Sequence, residues 1–293
     1  MDTVYDLVKK NLQAEPQLSF DKQDIERRIG FPAGRFTNTG PLLAPLSALA
    51  VTVLFFGALR FSPDSLVTQM FTRRSFVPYF IVFLAAWACA ILFIKRAKIS
   101  LQRRALSLKL LPSDDPGFTL TAASAEQVLG KLFQSVDDPQ RFLLTRRIHN
   151  ALSNLKNMGR IADVSDVLQA QADNDEAQMD SSYTMLRGHV WAIPVFGFIG
   201  TVWGLSKALG RFGSVLANAG QMTELREALQ GVTGGLATAF DTTFQGLIAV
   251  VGIHMLMIAV RRREEQFLDD CNDYCQKHVV GRLRLTGLDE QSK

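Results

Sequence analysis

The sequence predicts an all-α integral membrane protein with four transmembrane helices and long cytoplasmic helical extensions. Three observations carry that prediction. Four apolar runs, residues 42–59, 76–94, 189–209 and 229–260, approach or exceed the roughly 20 residues that a helix needs to cross the hydrocarbon of a bilayer. Along the third run, Gly197, Thr201, Gly204 and Ala208 recur at helical spacing, the pattern of a helix–helix or pore-facing seam on which backbones approach closely in lipid, and its partner is expected in the fourth run. The basic residues gather at the ends of these runs. Lys22, Arg27, Arg28 and Arg35 precede the first; Lys95, Arg96, Lys98, Arg103 and Arg104 follow the second; Arg261, Arg262 and Arg263 follow the fourth. The two loops on the other side carry Arg60, Arg73 and Arg74, and Arg211 and Arg226, so the positive-inside rule places both termini and the long middle segment in the cytoplasm.

Residues 1–40 form a cytoplasmic N-terminal segment in this reading. Val4, Leu7, Val8 and Leu12 fall at helical spacing, and Gly30, Pro32 and Gly34 mark turns, which suits a short amphipathic helix on the membrane surface or on a neighbouring subunit. The first residues mix charges of both signs and lack an apolar stretch with a cleavage-like site, so no signal peptide is expected. Residues 41–95 hold the first and second spans. Pro41 and Pro45 open the first, where the missing amide hydrogen costs nothing, and the connecting loop is too short for a domain.

Residues 96–187 read as a cytoplasmic helical region. Ser124 with Gln127 suggests a capping box, and Asp138 before Pro139 suggests an N-cap with proline at the first helical position. Leu144, Ile148, Ala151, Leu152 and Leu155 then make an apolar stripe that stops at Gly159. No proline or glycine interrupts residues 161–187, so one unbroken helix is expected to run into the third span. Residues 188–260 contain the third and fourth spans. At 1.5 Å per residue, residues 229–260 extend about 48 Å against a hydrocarbon thickness of roughly 30 Å, so part of this helix must stand in water or line a cavity. Residues 261–293 continue as a cytoplasmic C-terminal helix with Phe267, Cys271, Tyr274 and His278 on one side.

The fourth run carries Thr233, Thr238, Asp241, Thr242, Thr243 and Gln245, and polar groups inside a membrane are costly enough to be functional candidates. Here the sequence resembles a known family. Pro194, Gly197, Gly200, Thr201, Val202, Trp203 and Gly204 are similar to the third-helix motif of the MotA/TolQ/ExbB proton-channel family. Thr243, Gly246 and Leu247, preceded by Asp241 and Thr242, resemble the motif of that family's last helix. The resemblance covers about residues 190–262. It implies that Thr201 and Thr243 are the family threonines, whose hydroxyls can hold a water or relay a proton beside a carboxyl group. The plainer alternative is that each hydroxyl bonds a carbonyl of its own helix. Thr238 stands where many relatives have a glutamate, and Gly252 where they have a proline, so Asp241, Thr238 and Thr242 join the candidate proton pathway. Pro194, Gly197, Gly204 and Gly252 are candidates for helix packing or hinging.

The resemblance further implies a bacterial inner-membrane subunit that assembles as a homo-oligomer, a pentamer in the family; the small-residue stripe itself predicts that Gly197, Thr201, Gly204 and Ala208 form the seam between copies. The assembly would surround a single-span partner resembling MotB, TolR or ExbD with a membrane-embedded aspartate, and couple proton flow to mechanical work. Flagellar stator, gliding motor, envelope energiser and defence system all remain open readouts. The rival readings are a non-conducting membrane scaffold and a cation channel that needs no partner. No phosphate-binding glycine loop, paired-histidine metal motif or nucleophile elbow is present, so no enzyme activity and no cofactor are expected. Each basic cluster abuts a membrane end, which argues against nucleic acid as a partner. The three cysteines, Cys89, Cys271 and Cys275, offer no disulfide framework. Cys271, Cys275 and His278 share a helix face but have no fourth metal ligand nearby, so no metal is expected.

Overall fold

The computed structural model describes residues 17–73, 75–108, 110–111, 118–155, 160–218 and 222–284. Among these the chain is helical, without strands, and its extended pairings are two isolated parallel bridges, Leu18 with Val136 and Leu120 with Leu283. The expected amphipathic segment around Val4, Leu7, Val8 and Leu12 lies outside the described residues, as do Arg74 and Gly159. The longer helices are, in chain order, α1 Leu43–Leu59, α2 Val77–Arg104, α3 Ala122–Ser135, α4 Leu143–Ser153, α5 Ile161–Ser182, α6 Thr184–Asn218 and α7 Met222–His278.

Two compact units result. One gathers Met1–Gly40, Ile94–Ser182 and Arg261–Lys293; the other gathers Pro41–Phe93 and Tyr183–Val260. Three helical stretches, Val77–Ser107, Ile161–Gly210 and Ala228–Arg282, are long and apolar enough to cross a membrane. The apolar helix α1 has 17 residues and is shorter. Its rise of about 26 Å falls just under the roughly 30 Å hydrocarbon thickness. Helix α7 is overlong, as expected: its 57 residues run without interruption, about 85 Å at 1.5 Å per residue.

In the span-bearing unit the side chains turned outward are large and apolar, with Leu54 71% exposed and Phe240 67% exposed. Patches of that kind belong against lipid or another protein surface. Inside this unit, aromatic rings join α2 to α6: Phe80 stacks on Phe196 with centroids 5.3 Å apart, and Phe76 meets Trp203 edge-on at 5.6 Å.

The other unit is built around the predicted stripe on α4. Leu144, Ile148, Ala151, Leu152 and Leu155 are all buried, together with Val164 and Leu168 of α5 and Phe267, Cys271 and Cys275 of α7. Three local expectations are corrected. Helix α3 starts at Ala122 because Thr121 is its N-cap, with Ser124 rather than a glutamate or glutamine closing the capping box: the Ser124 amide donates to Thr121 Oγ1 (3.3 Å) and the Thr121 amide to Ser124 Oγ (2.8 Å). Helix α4 starts at Leu143, not after Asp138. Asp138 instead closes a turn, accepting from the Gln140 amide at 2.9 Å, and Phe142 stays extended so that its ring can meet Phe20 edge-on at 5.8 Å. The helix expected to be unbroken over residues 161–187 is interrupted at one residue, Tyr183, whose carbonyl still accepts from the Arg187 amide at 2.9 Å.

The basic cluster at the end of α2 divides between surface and interior. Arg96, Arg103 and Arg104 face outward, but Lys95 and Lys98 are buried. Lys95 Nζ donates to both carboxylate oxygens of Glu264 (3.2 and 3.1 Å), and Thr37 Oγ1 donates to the same carboxylate. Lys98 Nζ donates to Glu26 (2.5 Å) and to the Asn38 carbonyl (2.7 Å), while the amides of Gly34 and Gly40 donate to Glu26. Residues 24–40 are thereby strapped onto α2 and α7 by charges whose burial is tolerable only because each is paired and hydrogen-bonded.

Candidate functional site

The site is the contact between α6 and α7 in the span-bearing unit, and small residues make it. On α6 these are Gly197, Gly200, Gly204 and Ala208; on α7 they are Gly235, Ala239, Thr242 and Gly246. The two helices run antiparallel along this seam, as the pairing of low numbers on one with high numbers on the other requires. A Cβ atom added at Gly200 would lie 2.3 Å from Thr242 Oγ1 and 2.5 Å from Thr242 Cβ. One added at Gly204 would lie 2.7 Å from the Gly235 carbonyl oxygen, and one at Gly235 would lie 2.5 Å from Ala208 Cβ. Beyond Gly197, a Cβ at Gly246 would meet the Ile193 carbonyl at 3.2 Å and Pro194 Cα at 3.6 Å. Backbones this close leave room only for hydrogen, the reason small residues are concentrated where membrane helices associate.

This geometry corrects the expected seam between subunits. Gly197, Gly204 and Ala208 are filled by α7 of the same chain, so they are not free to meet a second copy. Thr201 stands apart from them: it is half-exposed, and its hydroxyl donates to the Phe198 carbonyl of its own helix at 2.5 Å. Pro194 lies inside α6, which continues through it. At Gly252 an added Cβ would meet nothing within 4 Å, and α7 continues through that residue, so Gly252 makes no close helix contact within the described chain.

The polar residues of α7 divide by depth. Thr238, Thr242 and Gln245 are buried, while Asp241 and Thr243 are half-buried. Thr238 Oγ1 donates to the Gly234 carbonyl (2.8 Å) and Thr242 Oγ1 to the Thr238 carbonyl (3.0 Å), so both hydroxyls are satisfied within their own helix. Thr243 differs. Its Oγ1 lies 3.4 Å from the Gly197 carbonyl of α6 and 3.3 Å from the Ala239 carbonyl of α7, a hydroxyl shared between two helices. The structure thus brings Thr242, Thr243, Gly197 and Gly204 together along one seam and leaves Thr201 and Gly252 outside it.

Several residues of the site escaped the sequence reading. Gly235 and Ala239 complete the α7 half, and with Thr242 and the motif residue Gly246 their spacing of four, three and four residues mirrors the small-residue stripe on α6. That reciprocal period was the available signal. Gln245 turns out to be a tether: its Nε2 donates to the Met70 carbonyl at 3.1 Å, fastening α7 to the π-helical turn Gln69–Arg73 between the first two spans. His189 is buried edge-on against Trp87 with its Nδ1 at 2.7 Å from the Met185 carbonyl. No group of three or more histidine, cysteine or acidic side chains suited to a metal occurs among the described residues.

No curated protein and no solved structure matches the chain. Residues 136–272, a segment that contains the whole α6–α7 seam, match the MotA/TolQ/ExbB proton channel family. With the small-residue seam, the threonines that line it and three apolar helices able to cross a membrane, this match supports membership of the MotA/TolQ/ExbB proton channel family.

Proposed function

We propose that the chain is a four-span proton-channel and stator subunit of the bacterial inner membrane, with both termini and residues 96–187 in the cytoplasm. In this reading five copies surround a single-span partner of the MotB, TolR or ExbD kind, and proton flow past the α6–α7 seam drives movement of the partner against the ring. The chain performs no enzymatic reaction. The observation that carries the reading is Thr243, whose hydroxyl has acceptors on two helices at nearly equal, long distances. A hydroxyl that can turn between two weakly held acceptors is suited to pass a proton or hold a water, because either orientation costs little. Asp241, two residues away and half-buried, tunes the path, and the partner supplies the obligatory carboxylate.

One observation favours the scaffold reading instead: Thr201, the other family threonine, is satisfied by its own helix. Proton flux in vesicles containing the chain and its partner separates the two. With assembly intact, Thr243→Val is expected to lower flux at least about tenfold, the scale of one lost hydrogen bond at a barrier. Thr201→Val should change it much less, and Asp241→Asn should reduce it to a detectable residue. Flux that ignores Thr243→Val would remove the relay, and complete loss in Asp241→Asn would move the carrier role from the partner to this chain.

A further inference from the structure

A cavity of about 470 Å³ opens in the unit formed by residues 1–40, 94–182 and 261–293. Four guanidinium groups line it, those of Arg27, Arg35, Arg141 and Arg146, with the rings of Phe20 and Phe36 and a single carboxylate, Asp138. Its volume lies in the range of pockets that hold small organic ligands. Arginine carries its charge at every physiological pH and presents planar forks of donors that fit phosphate oxygens.

The local carboxylates do not exhaust these arginines. Arg141 is engaged by Asp138 (3.1 Å) and Asp21 (2.7 Å), Arg27 reaches Asp21 at 3.4 Å, and Arg146 pairs with Asp175. Three carboxylates therefore answer four guanidiniums. The one without a partner among the described residues is Arg35, exposed at the cavity wall. Arg146 also keeps a buried Nε with no acceptor, and its guanidinium lies 4.3 Å from the Phe36 ring centroid. Phe36 itself holds φ at +51°, a left-handed conformation that a bulky side chain adopts only when its surroundings enforce it. That conformation sets Arg35 and the Phe36 ring on the same cavity.

We propose that this cavity is a binding site for a phosphorylated small molecule carrying two or more negative charges, with Arg35 as its principal anchor and Arg27 and Arg146 as the flanking donors. A single inorganic phosphate would leave most of the space empty, whereas a diphosphate or a phosphate ester reaches guanidiniums on opposite walls. The ligand would bridge residues 20–36, which bring Phe20, Arg27, Arg35 and Phe36, to the turn and helix that bring Arg141 and Arg146, tightening the same segment that Lys98 and Glu26 strap down. The phosphates could come from a soluble metabolite or from a lipid headgroup.

The test is titration of inorganic pyrophosphate into the full chain in phosphatidylcholine nanodiscs, at about 150 mM salt, where exposed charges are screened beyond roughly 8 Å. The expected result is saturable binding of one pyrophosphate per chain. Arg35→Gln, at an exposed residue without a partner, should leave the fold intact and weaken binding at least about tenfold, the value of one charge-assisted bidentate contact. Arg28→Gln, the same change of charge outside the cavity, should leave binding unaltered. Repeating the titration in nanodiscs containing cardiolipin, whose headgroup carries two phosphates, assigns the source: loss of pyrophosphate binding there marks a lipid headgroup as the competing occupant, and unchanged binding marks a soluble ligand. Absence of saturable binding in phosphatidylcholine, or equal weakening by Arg28→Gln and Arg35→Gln, overturns the proposal.

Discussion

The two units of this chain take polar groups out of water in opposite ways. Along the α6–α7 seam, the Thr238 and Thr242 hydroxyls are satisfied by carbonyls of their own helix, Thr243 reaches across only at long distance, and the helices touch through glycine, so that contact depends on shape. In the other unit, charges are buried outright and satisfied only across elements: Lys95 with Glu264, Lys98 with Glu26, and Arg147 with Asp175 at 2.8 Å. The first arrangement leaves the Thr238 and Thr242 hydroxyls satisfied wherever the neighbouring helix moves, with Gln245 as a tether to Met70. The second locks distant segments together, because movement of any one leaves a buried charge alone. The proposed function has use for both, a contact set by shape and a body locked by charge.

The sharpest way to break this comparison is to strand one charge. Glu264→Ala leaves Lys95, itself 1% exposed, without its carboxylate. The expected cost is about 3–5 kcal/mol, the penalty for removing one partner of a buried pair, read as a lowered unfolding midpoint of the detergent-solubilised chain. Replacing both members, Lys95→Met with Glu264→Leu, should recover much of that loss because no charge is then left unpaired. A double variant as unstable as the single one would show that the site needs its volume and hydrogen bonds more than charge balance.

The seam should fail through shape alone. Gly200→Ala places a methyl group 2.3 Å from Thr242 Oγ1, and is expected to cost about 1–3 kcal/mol by overpacking. Gly252→Ala, where an added Cβ meets nothing within 4 Å, should be neutral or stabilising by up to about 1 kcal/mol, since alanine is the better helix former. The same chemical change on the two long helices therefore has opposite signs. Equal effects in a thermal-shift comparison would mean that α6 and α7 do not approach as closely as described.

These contrasts also mark what was readable in advance. The apolar runs, the stripe from Leu144 to Leu155 and the α6 glycines were legible because burial imposes a helical period on the residues that pack. Both the fourth run and a second subunit fitted as the surface those glycines meet: a small-residue stripe looks the same against either, and the matching period of Gly235, Ala239, Thr242 and Gly246 distinguishes them. The burial of Lys95 and Lys98 was not legible for a related reason. A lysine beyond an apolar run has one composition whether it faces solvent or a carboxylate more than a hundred residues away, as Lys95 faces Glu264. The capping box at Thr121 was hidden because serine replaced the usual N3 partner.

The smallest effect tests how completely the charge-bearing unit excludes water. Cys271 and Cys275 lie on α7 beyond Val260, where its apolar stretch ends, and both are buried beside Arg147. Burial pushes both thiols up, Cys275 to about 12, while the Arg147 guanidinium pulls the other way and loses. Each thiol is therefore protonated throughout the physiological range, and a thiol that neither ionises nor reaches solvent is a poor nucleophile. At pH 8, N-ethylmaleimide should label neither cysteine in the folded chain and both after denaturation. The sign of the linked pH effect follows from the raised values: the stability contributed by the thiols is complete below the ordinary value of 9.0 and is lost as pH rises toward about 12. No change is expected at neutral pH, with progressive destabilisation in alkali. Labelling of the folded chain at pH 8 at the rate of a free thiol would mean that water reaches the face shared by Arg147, Cys271 and Cys275, and the contrast between a shape-built seam and a charge-locked interior would lose its second half.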